Sequence, residues 1–126
     1  MKAILDTHVL LQVLTDDPRL SDSAREILAD SGNEIFVSMA SLWEISVKFS
    51  LGKLSVDPGT ISEAVTRSGF SRLSVEDLHL QALSGLPWRH KDLFGRIIVA
   101  QSISEPMKLL TGDWRLAAYG GPVLLV

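Results

Sequence analysis

The 126-residue chain contains no cysteine. This absence excludes disulfide bridges, thiolate metal sites and a cysteine nucleophile, and it agrees with a reducing compartment such as the cytoplasm. Long apolar runs are also missing, since none approaches the roughly 18 residues of a membrane span. The apolar run after Lys2 is soon interrupted by Asp6 and His8, which is unlike a secretory leader. We therefore expect a soluble, cytoplasmic protein that does not contact a membrane.

Positive charge is scarce as well. Twelve Lys and Arg residues stand against fifteen Asp and Glu residues, for a formal net charge of −3. No global positive field recruits nucleic acid, so any site for a polyanion must be local. Hydrophobic residues make up 46% of the chain, which at this length predicts one domain over residues 1–126 with a core of its own.

Short apolar runs alternate with helical patterns along the chain. This alternation favours an α/β fold, in which a central parallel sheet is flanked by helices on both faces. The predicted strands are residues 3–5, 34–38, 70–73, 107–110 and 123–126. The predicted helices are residues 8–14, 21–29, 39–51, 58–67, 75–84 and 92–104, with a short turn after residue 113.

Acidic residues follow several of the predicted strands. Asp6 comes after the first strand, in ILDTH, while Thr111 and Asp113 come after the fourth, in LLTGD. Glu44 stands about one and a half turns into the helix that follows the second strand, and Asp92 stands at the start of the sixth helix. Ligands of open α/β sheets bind at the carboxyl ends of the strands. The pattern therefore predicts four carboxylates at one edge of the sheet.

Clustered carboxylates repel one another, so at neutral pH they require protonation, basic partners or a bound cation. Oxygen donors without cysteine favour Mg²⁺ or Mn²⁺. Such an ion polarises a phosphoryl oxygen and activates a bound water for attack. Hydrolysis of phosphodiester bonds is the chemistry that this acid cluster predicts.

Each acid also has an ordinary structural interpretation, and the sequence alone leaves both open. Asp6 and Asp92 suit helix N-caps. Glu44 is spaced for an i, i+4 ion pair with Lys48. Asp113, in TGDW, suits a turn.

The histidines and tryptophans carry weaker signals. His8 and His90 do not form a ligand set by spacing. We predict that Trp43, Trp88 and Trp114 are mainly packing anchors, with stacking of a base at the surface as the alternative.

Four segments together resemble the PIN-domain toxins of the VapC type, and they extend over nearly the whole chain. The resemblance implies a Rossmann-like α/β/α fold and a Mg²⁺- or Mn²⁺-dependent endoribonuclease. It also implies a VapB-type antitoxin that occupies the active-site groove, and a homodimer. The segments are ILDTHVLLQVLTDDPRLS, VSMASLWEISVKFSLGKL, LPWRHKDLFGRIIVAQS and LLTGDWRLAAYGGPVLLV.

By this resemblance Asp6, Glu44 and Asp113 hold the metal ion. The family's next segment typically reads histidine, a basic residue, Asp, Pro, Phe, Asp and Arg, and its second Asp opens a helix with a metal-binding carboxylate. Here that second position is Gly95, whereas Asp92 matches the first Asp. Three interpretations remain. Asp92 rearranges to serve as the missing ligand, or the site binds metal weakly through Asp6, Glu44 and Asp113. In the third interpretation the chain is an inactive module that binds antitoxin or RNA without turnover.

The predicted RNA contacts are Thr111, Arg96 and His90. His90 and Arg96 belong to a wider set of basic side chains expected around the acids, for which a solvated surface is the alternative. The remaining basic residues of the set are Lys48, Lys53, Arg89 and Lys91.

The first predicted helix has an open question of its own, because Val9, Leu10, Val13 and Leu14 suit either the core or a partner's helix.

Overall fold

A computed structural model describes residues 1–126 and contains a five-stranded sheet in which every neighbouring pair of strands is parallel. The strand order is β3-β2-β1-β4-β5. The predicted parallel α/β architecture is therefore confirmed. The strands are β1 (Lys2–Leu5), β2 (Glu34–Ser38), β3 (Ser71–Leu73), β4 (Lys108–Thr111) and β5 (Val123–Leu125).

Helices cover both faces of this sheet because the central strands are apolar on both sides. In β1, Ala3 and Leu5 pack into one core cluster, whereas Ile4 packs into the other. The first cluster includes side chains of α1, α2 and α4, and the second is built largely on α6. The helices are α1 (Thr7–Leu14), α2 (Asp22–Ala29), α3 (Met39–Ser50), α4 (Pro58–Ser68), α5 (Asp77–Ser84) and α6 (Leu93–Ser104), followed by a 3₁₀ helix (Trp114–Tyr119).

The carboxyl ends of β1 and β4 lie side by side at the centre of the sheet. Leu5 is in register with Leu110, and the backbone N–H of Asp6 donates to the Leu110 carbonyl at 3.0 Å. The strand order reverses direction at this point, which is where open α/β sheets form their ligand crevice. The carboxyl ends of β1 and β4, which come from opposite ends of the chain, thus lie together at this crevice.

Most element boundaries differ from prediction by one or two residues, and local hydrogen bonds set them. The fifth helix begins at Asp77 rather than Val75, since the N–H of Glu76 donates to Nδ1 of His79 and caps the helix there. Of the four α1 residues in question, Val9 and Leu10 are buried in the core, whereas Val13 and Leu14 are half-buried and pack against it. No helix combines the length and apolar character that a membrane crossing requires.

The prediction that the three tryptophans are packing anchors is wrong. Trp43 is 63% exposed, and Trp88 and Trp114 are each 73% exposed. The core is filled by aliphatic side chains, and the tryptophans lie outside it. Trp43 makes an edge contact with the Phe94 ring at 5.0 Å between centroids.

Candidate active site

All four predicted carboxylates line one open cavity of about 520 Å³ at the carboxyl ends of β1 and β4. Each is delivered by a different local structure, so chain topology rather than sequence proximity brings them together. We refer to this cavity as the acid pocket. Its lining consists of Asp6, Thr7, His8, Val9, Leu11, Gln12, Glu44, Lys48, Asp92, Gly112, Asp113 and Arg115.

Asp6 caps α1 and also forms a wall of the acid pocket. The Thr7 N–H donates to its Oδ1 at 2.8 Å, and the Thr111 hydroxyl donates to its Oδ2 at 2.7 Å. Burial raises the pKa of Asp6, and the negative charges of Glu44 and Asp92 raise it further, against the two hydrogen bonds that lower it. The surroundings of Asp6 therefore disfavour its ionised form.

Thr111, a predicted RNA contact, is fully buried beneath the acid pocket. Its hydroxyl donates to Asp6 and accepts the backbone N–H of Asp113 at 3.0 Å. Thr111 therefore orients Asp6 and the backbone at Asp113.

Glu44 forms the ion pair with Lys48 that its spacing predicts, and it does so inside the acid pocket. Its side chain is only 9% exposed and faces the acid pocket, and Nζ of Lys48 lies 2.6 Å from its Oε2. The hydrogen bond to Glu44 raises the pKa of Lys48, and the charges of Asp92 and Asp6 add to the increase although burial opposes it. The ion pair thus lies inside the pocket.

Asp113 is held by basic partners at the edge of the acid pocket. The backbone N–H and Nε of Arg115 both donate to its Oδ1 at 3.0 Å. Arg115, with a smaller contribution from His90, lowers the pKa of Asp113, although partial burial opposes the shift. Asp17 and Arg19 form the same pairing elsewhere. The Asp-x-Arg spacing therefore produces this arrangement locally.

His90, a predicted RNA contact, connects two of the acids through its two ring nitrogens. Its Nδ1 accepts the N–H of Asp92 at 2.9 Å, so its Nε2 carries the proton. That Nε2 lies 3.2 Å from Oδ2 of Asp113, and the imidazole is only 8% exposed. The side chain fixes the loop before α6.

Asp92 is the N-cap of α6, and its carboxylate occupies the space beside Gly95. The Phe94 N–H donates to its Oδ1 at 3.1 Å. A Cβ atom at Gly95 would lie 3.0 Å from Oδ2 of Asp92, which is tighter than most real Cβ contacts. The missing side chain at position 95 thus gives the carboxylate of Asp92 its place in the pocket wall.

Arg96, another predicted RNA contact, is held by protein partners. Its guanidinium is buried, donates to the Leu86 carbonyl at 2.9 Å and lies 3.6 Å from the centroid of the Trp88 ring. It stabilises the segment that leads into α6 and does not line the acid pocket.

The basic rim of the acid pocket is smaller than predicted. Lys48 lines the cavity, whereas Lys53, Arg89 and Lys91 do not. Sequence reasoning missed Arg115, although its spacing from Asp113 was an available signal.

The donor chemistry of the acid pocket fits a hydrated divalent cation. Four carboxylates and the two cations, Lys48 and Arg115, give a formal charge of −2 when all are ionised. As arranged, however, no three histidine, aspartate or glutamate side chains are placed to hold a metal ion together. Mg²⁺ commonly keeps several waters and binds through one or two carboxylates. The residues therefore fit a Mg²⁺ or Mn²⁺ ion that retains much of its water shell.

The family model of the PIN domain matches residues 3–122, which include all four pocket acids. The chain belongs to the PIN-domain family. This PIN domain is also 39% identical, over 69 residues, to Ribonuclease VapC16 of Mycobacterium tuberculosis (strain ATCC 25618 / H37Rv). That match covers 49% of each protein, so it spans about half the length of the relative. The predicted resemblance to VapC-type proteins is thus confirmed.

Solved structures support the PIN fold over the whole chain. The crystal structure of VapBC2 from Rickettsia felis, bound to a promoter DNA fragment, has a TM-score of 0.72 at 13% identity and covers 100% of this chain and 98% of that one. A toxin-antitoxin complex from Klebsiella pneumoniae has a TM-score of 0.66 at 15% identity, with coverages of 97% and 95%. FitAcB from Neisseria gonorrhoeae scores 0.65 at 16% identity, with coverages of 97% and 96%. At these identities the likeness concerns the fold.

Proposed function

We propose that this PIN domain is the toxin component of a type II toxin–antitoxin system and hydrolyses RNA phosphodiester bonds as a Mg²⁺- or Mn²⁺-dependent endoribonuclease. The observation that carries the proposal is the convergence of four carboxylates in one open pocket. The identity to Ribonuclease VapC16 supports the same reaction class.

Asp6 and Asp92 are the side chains that would hold the ion, together with Glu44. Support for this set comes from electrostatics, since the charges of Glu44 and Asp92 both act on the buried Asp6. Asp113 is the weaker candidate because Arg115 and His90 occupy its oxygens. The proposed metal ligands therefore include Asp92 in place of Asp113, which the sequence-based prediction had preferred.

A bound divalent ion supplies Lewis-acid polarisation of the phosphoryl group and a water of lowered pKa. The chain's own residues prepare that chemistry. Thr111 and Thr7 hold the two oxygens of Asp6 in fixed directions. Lys48 and Arg115, at the rim, are placed to bind the non-bridging oxygens of a phosphate.

The proposed partners are an RNA substrate, a VapB-type antitoxin and a second copy of the chain, in the cytoplasm. Two structural neighbours, VapBC2 of Rickettsia felis and the toxin-antitoxin complex of Klebsiella pneumoniae, support the antitoxin as a partner. RNA and antitoxin would compete for the same open pocket, so an antitoxin seated there would block turnover.

One set of observations favours a second function, an inactive PIN module that binds antitoxin or RNA without cleavage. Gly95 offers no ligand, and every pocket carboxylate already has a protein hydrogen-bond donor. A site whose carboxylates are partly compensated by its own side chains has less need of an ion.

Cleavage of an RNA pool in Mg²⁺ or Mn²⁺ tests the two functions. We expect the parent chain to cut, and Asp6→Ala to cut at least about 100-fold more slowly because a ligand is lost. Asp22→Ala, which removes an exposed acid outside the pocket, is the matched control and should cut like the parent.

Gly95→Asp separates the two functions. A Cβ at this position requires the Asp92 carboxylate to shift by a few tenths of an ångström, so the variant adds a carboxylate beside Asp92. If only Gly95→Asp cuts, the chain is an inactive module. Undiminished cleavage by Asp6→Ala would show that the site is wrongly assigned.

A further inference from the structure

Lys48 and Glu44 form an ion pair that differs from an ordinary pair on a helix surface. Exposed i, i+4 pairs contribute little, since water already solvates both charges. The Glu44 side chain, however, is only 9% exposed, and its Oε2 lies 2.6 Å from Nζ of Lys48. A carboxylate withdrawn from water in this way requires a counter-ion, and Lys48 supplies it.

Lys48 also lies in the field of the neighbouring acids. It lines the same cavity as Asp6 and Asp92, whose negative charges act on it in addition to that of Glu44. The second cation of the pocket, Arg115, is bound to Asp113 through two nitrogens of its side chain. Lys48 is thus the cation that compensates the negative charge on the Asp6 side of the acid pocket.

We propose that the Lys48 ammonium is the resident counter-ion of the acid pocket, and that a divalent cation gains Glu44 as a ligand only by displacing it. This inference rests on the proposed metal-dependent function, because it concerns the same site. While Lys48 is in place, Glu44 is occupied, which agrees with the lack of three side chains placed to hold an ion.

The displacement is physically accessible. The Lys48 side chain is 50% exposed, so its ammonium can move into water without crossing packed atoms. Its four-carbon stem is flexible and its charge is compact, unlike the planar fork of arginine. The lysine therefore sets how strongly the pocket binds a divalent ion.

The test is the dissociation constant of Mn²⁺, measured by electron paramagnetic resonance on the full chain. We expect Lys48→Met to bind Mn²⁺ on the order of tenfold more tightly than the parent. The matched control is Arg115→Met, which removes the same unit charge from the same cavity but leaves Glu44 paired. It should gain less than about threefold. Lys48→Arg keeps the charge and should bind Mn²⁺ no more tightly than the parent.

Thermal unfolding gives a second readout. Without metal, Lys48→Met leaves the buried Glu44 without its partner, so its Tm should fall below that of the parent. Added Mn²⁺ should then raise the Tm of Lys48→Met more than that of the parent, since binding is tighter. If Lys48→Met does not fold, Lys48→Gln replaces it, because its amide still donates to Glu44 without a charge.

Equal Mn²⁺ affinities for Lys48→Met and Arg115→Met would overturn the inference, as would a Lys48→Arg variant that binds as tightly as Lys48→Met. The two proposals fail separately. A parent that cleaves RNA through Asp6, with Mn²⁺ affinity indifferent to Lys48, contradicts only this inference. Mn²⁺ binding that depends on Lys48 without cleavage contradicts only the ribonuclease proposal.

Discussion

Two polar regions of this PIN domain lie close to the same sheet and follow opposite rules. The acid pocket gathers like charges, whereas a second region, between α5, α6 and β2, is a buried network of matched donors and acceptors. In that network the Ser38 hydroxyl donates to Oε1 of Gln101 at 2.6 Å, and Nε2 of Gln101 donates to the Ser74 carbonyl at 3.3 Å. We refer to these residues, with His79 and Glu105, as the polar network.

His79 completes the polar network at the end of α6. Its imidazole is fully buried, its Nδ1 accepts the N–H of Glu76, and its Nε2 lies 2.6 Å from Oε2 of Glu105. No buried side-chain nitrogen or oxygen of the protein lacks a hydrogen-bond partner. The network therefore joins three elements at little electrostatic cost.

The acid pocket shows the reverse. Burial and neighbouring carboxylates raise the pKa of Asp6, so its ionised form destabilises the fold at neutral pH. Residues that cost stability in a cleft are candidates for function, whereas satisfied buried networks are candidates for architecture. This contrast predicts opposite consequences of substitution in the two regions.

The largest expected effect is on stability in the polar network. Gln101→Leu leaves the Ser38 hydroxyl and the Ser74 carbonyl without their partner, and it should cost about 2–4 kcal/mol of unfolding free energy in urea. Gln81→Leu, on the exposed face of α5, is the control and should change stability by less than about 0.5 kcal/mol. Equal losses from both variants would contradict the assigned role of the network.

The next effect is a pH dependence of opposite sign for two pocket acids. The folded-state pKa of Asp6 is raised, so the stability cost of its charge disappears as the pH falls through that pKa. Relative to Asp6→Asn, the parent should gain stability on acidification above about pH 4. Urea unfolding across pH measures this, and a difference that stays constant with pH would contradict it.

Asp113 provides the comparison within the same experiment. Arg115 lowers its folded-state pKa, so the stability that its charge contributes is present above the unfolded pKa of about 4 and is lost as the pH falls further. Relative to Asp113→Asn, the parent should therefore lose stability below about pH 4.

The smallest effect is expected at Gly95. In Gly95→Ala the new Cβ presses on the Asp92 carboxylate, while alanine favours the helix, so stability should change by less than about 1 kcal/mol. Mn²⁺ affinity should weaken because Asp92 shifts. Gly85→Ala is the control, since its Cβ would have no neighbour closer than 3.9 Å. If both variants bind Mn²⁺ more weakly than the parent, the loss of affinity cannot be attributed to a shift of Asp92.

Much of the fold was predictable because hydrophobic periodicity and chain topology act over whole elements. Five strands and six helices lie within about two residues of their predicted bounds. The pocket acids were predictable as well, because strand exits identify one edge of a parallel sheet without knowledge of any side-chain contact.

The individual roles of the side chains were less predictable. Arg96 and Thr111 have residue types that suit phosphate contact, yet both are buried beneath the pocket or beside it. His79 has no spacing that marks it, and Gln101 shows only as a polar residue within an apolar helix. The direction in which a side chain points depends on neighbours that are distant in sequence.

The sequence by itself determined the α/β architecture, the family and the four acids, because each follows from periodicity, segment resemblance or the position of a residue after a strand. Only the tertiary structure decided how deeply those acids are buried and which partners they have. Lys48 pairs with Glu44 inside the pocket, and Asp92 fills the space beside Gly95. The physical reason is that burial and ion pairing depend on distances of a few ångströms between separate elements, which spacing along a chain does not contain.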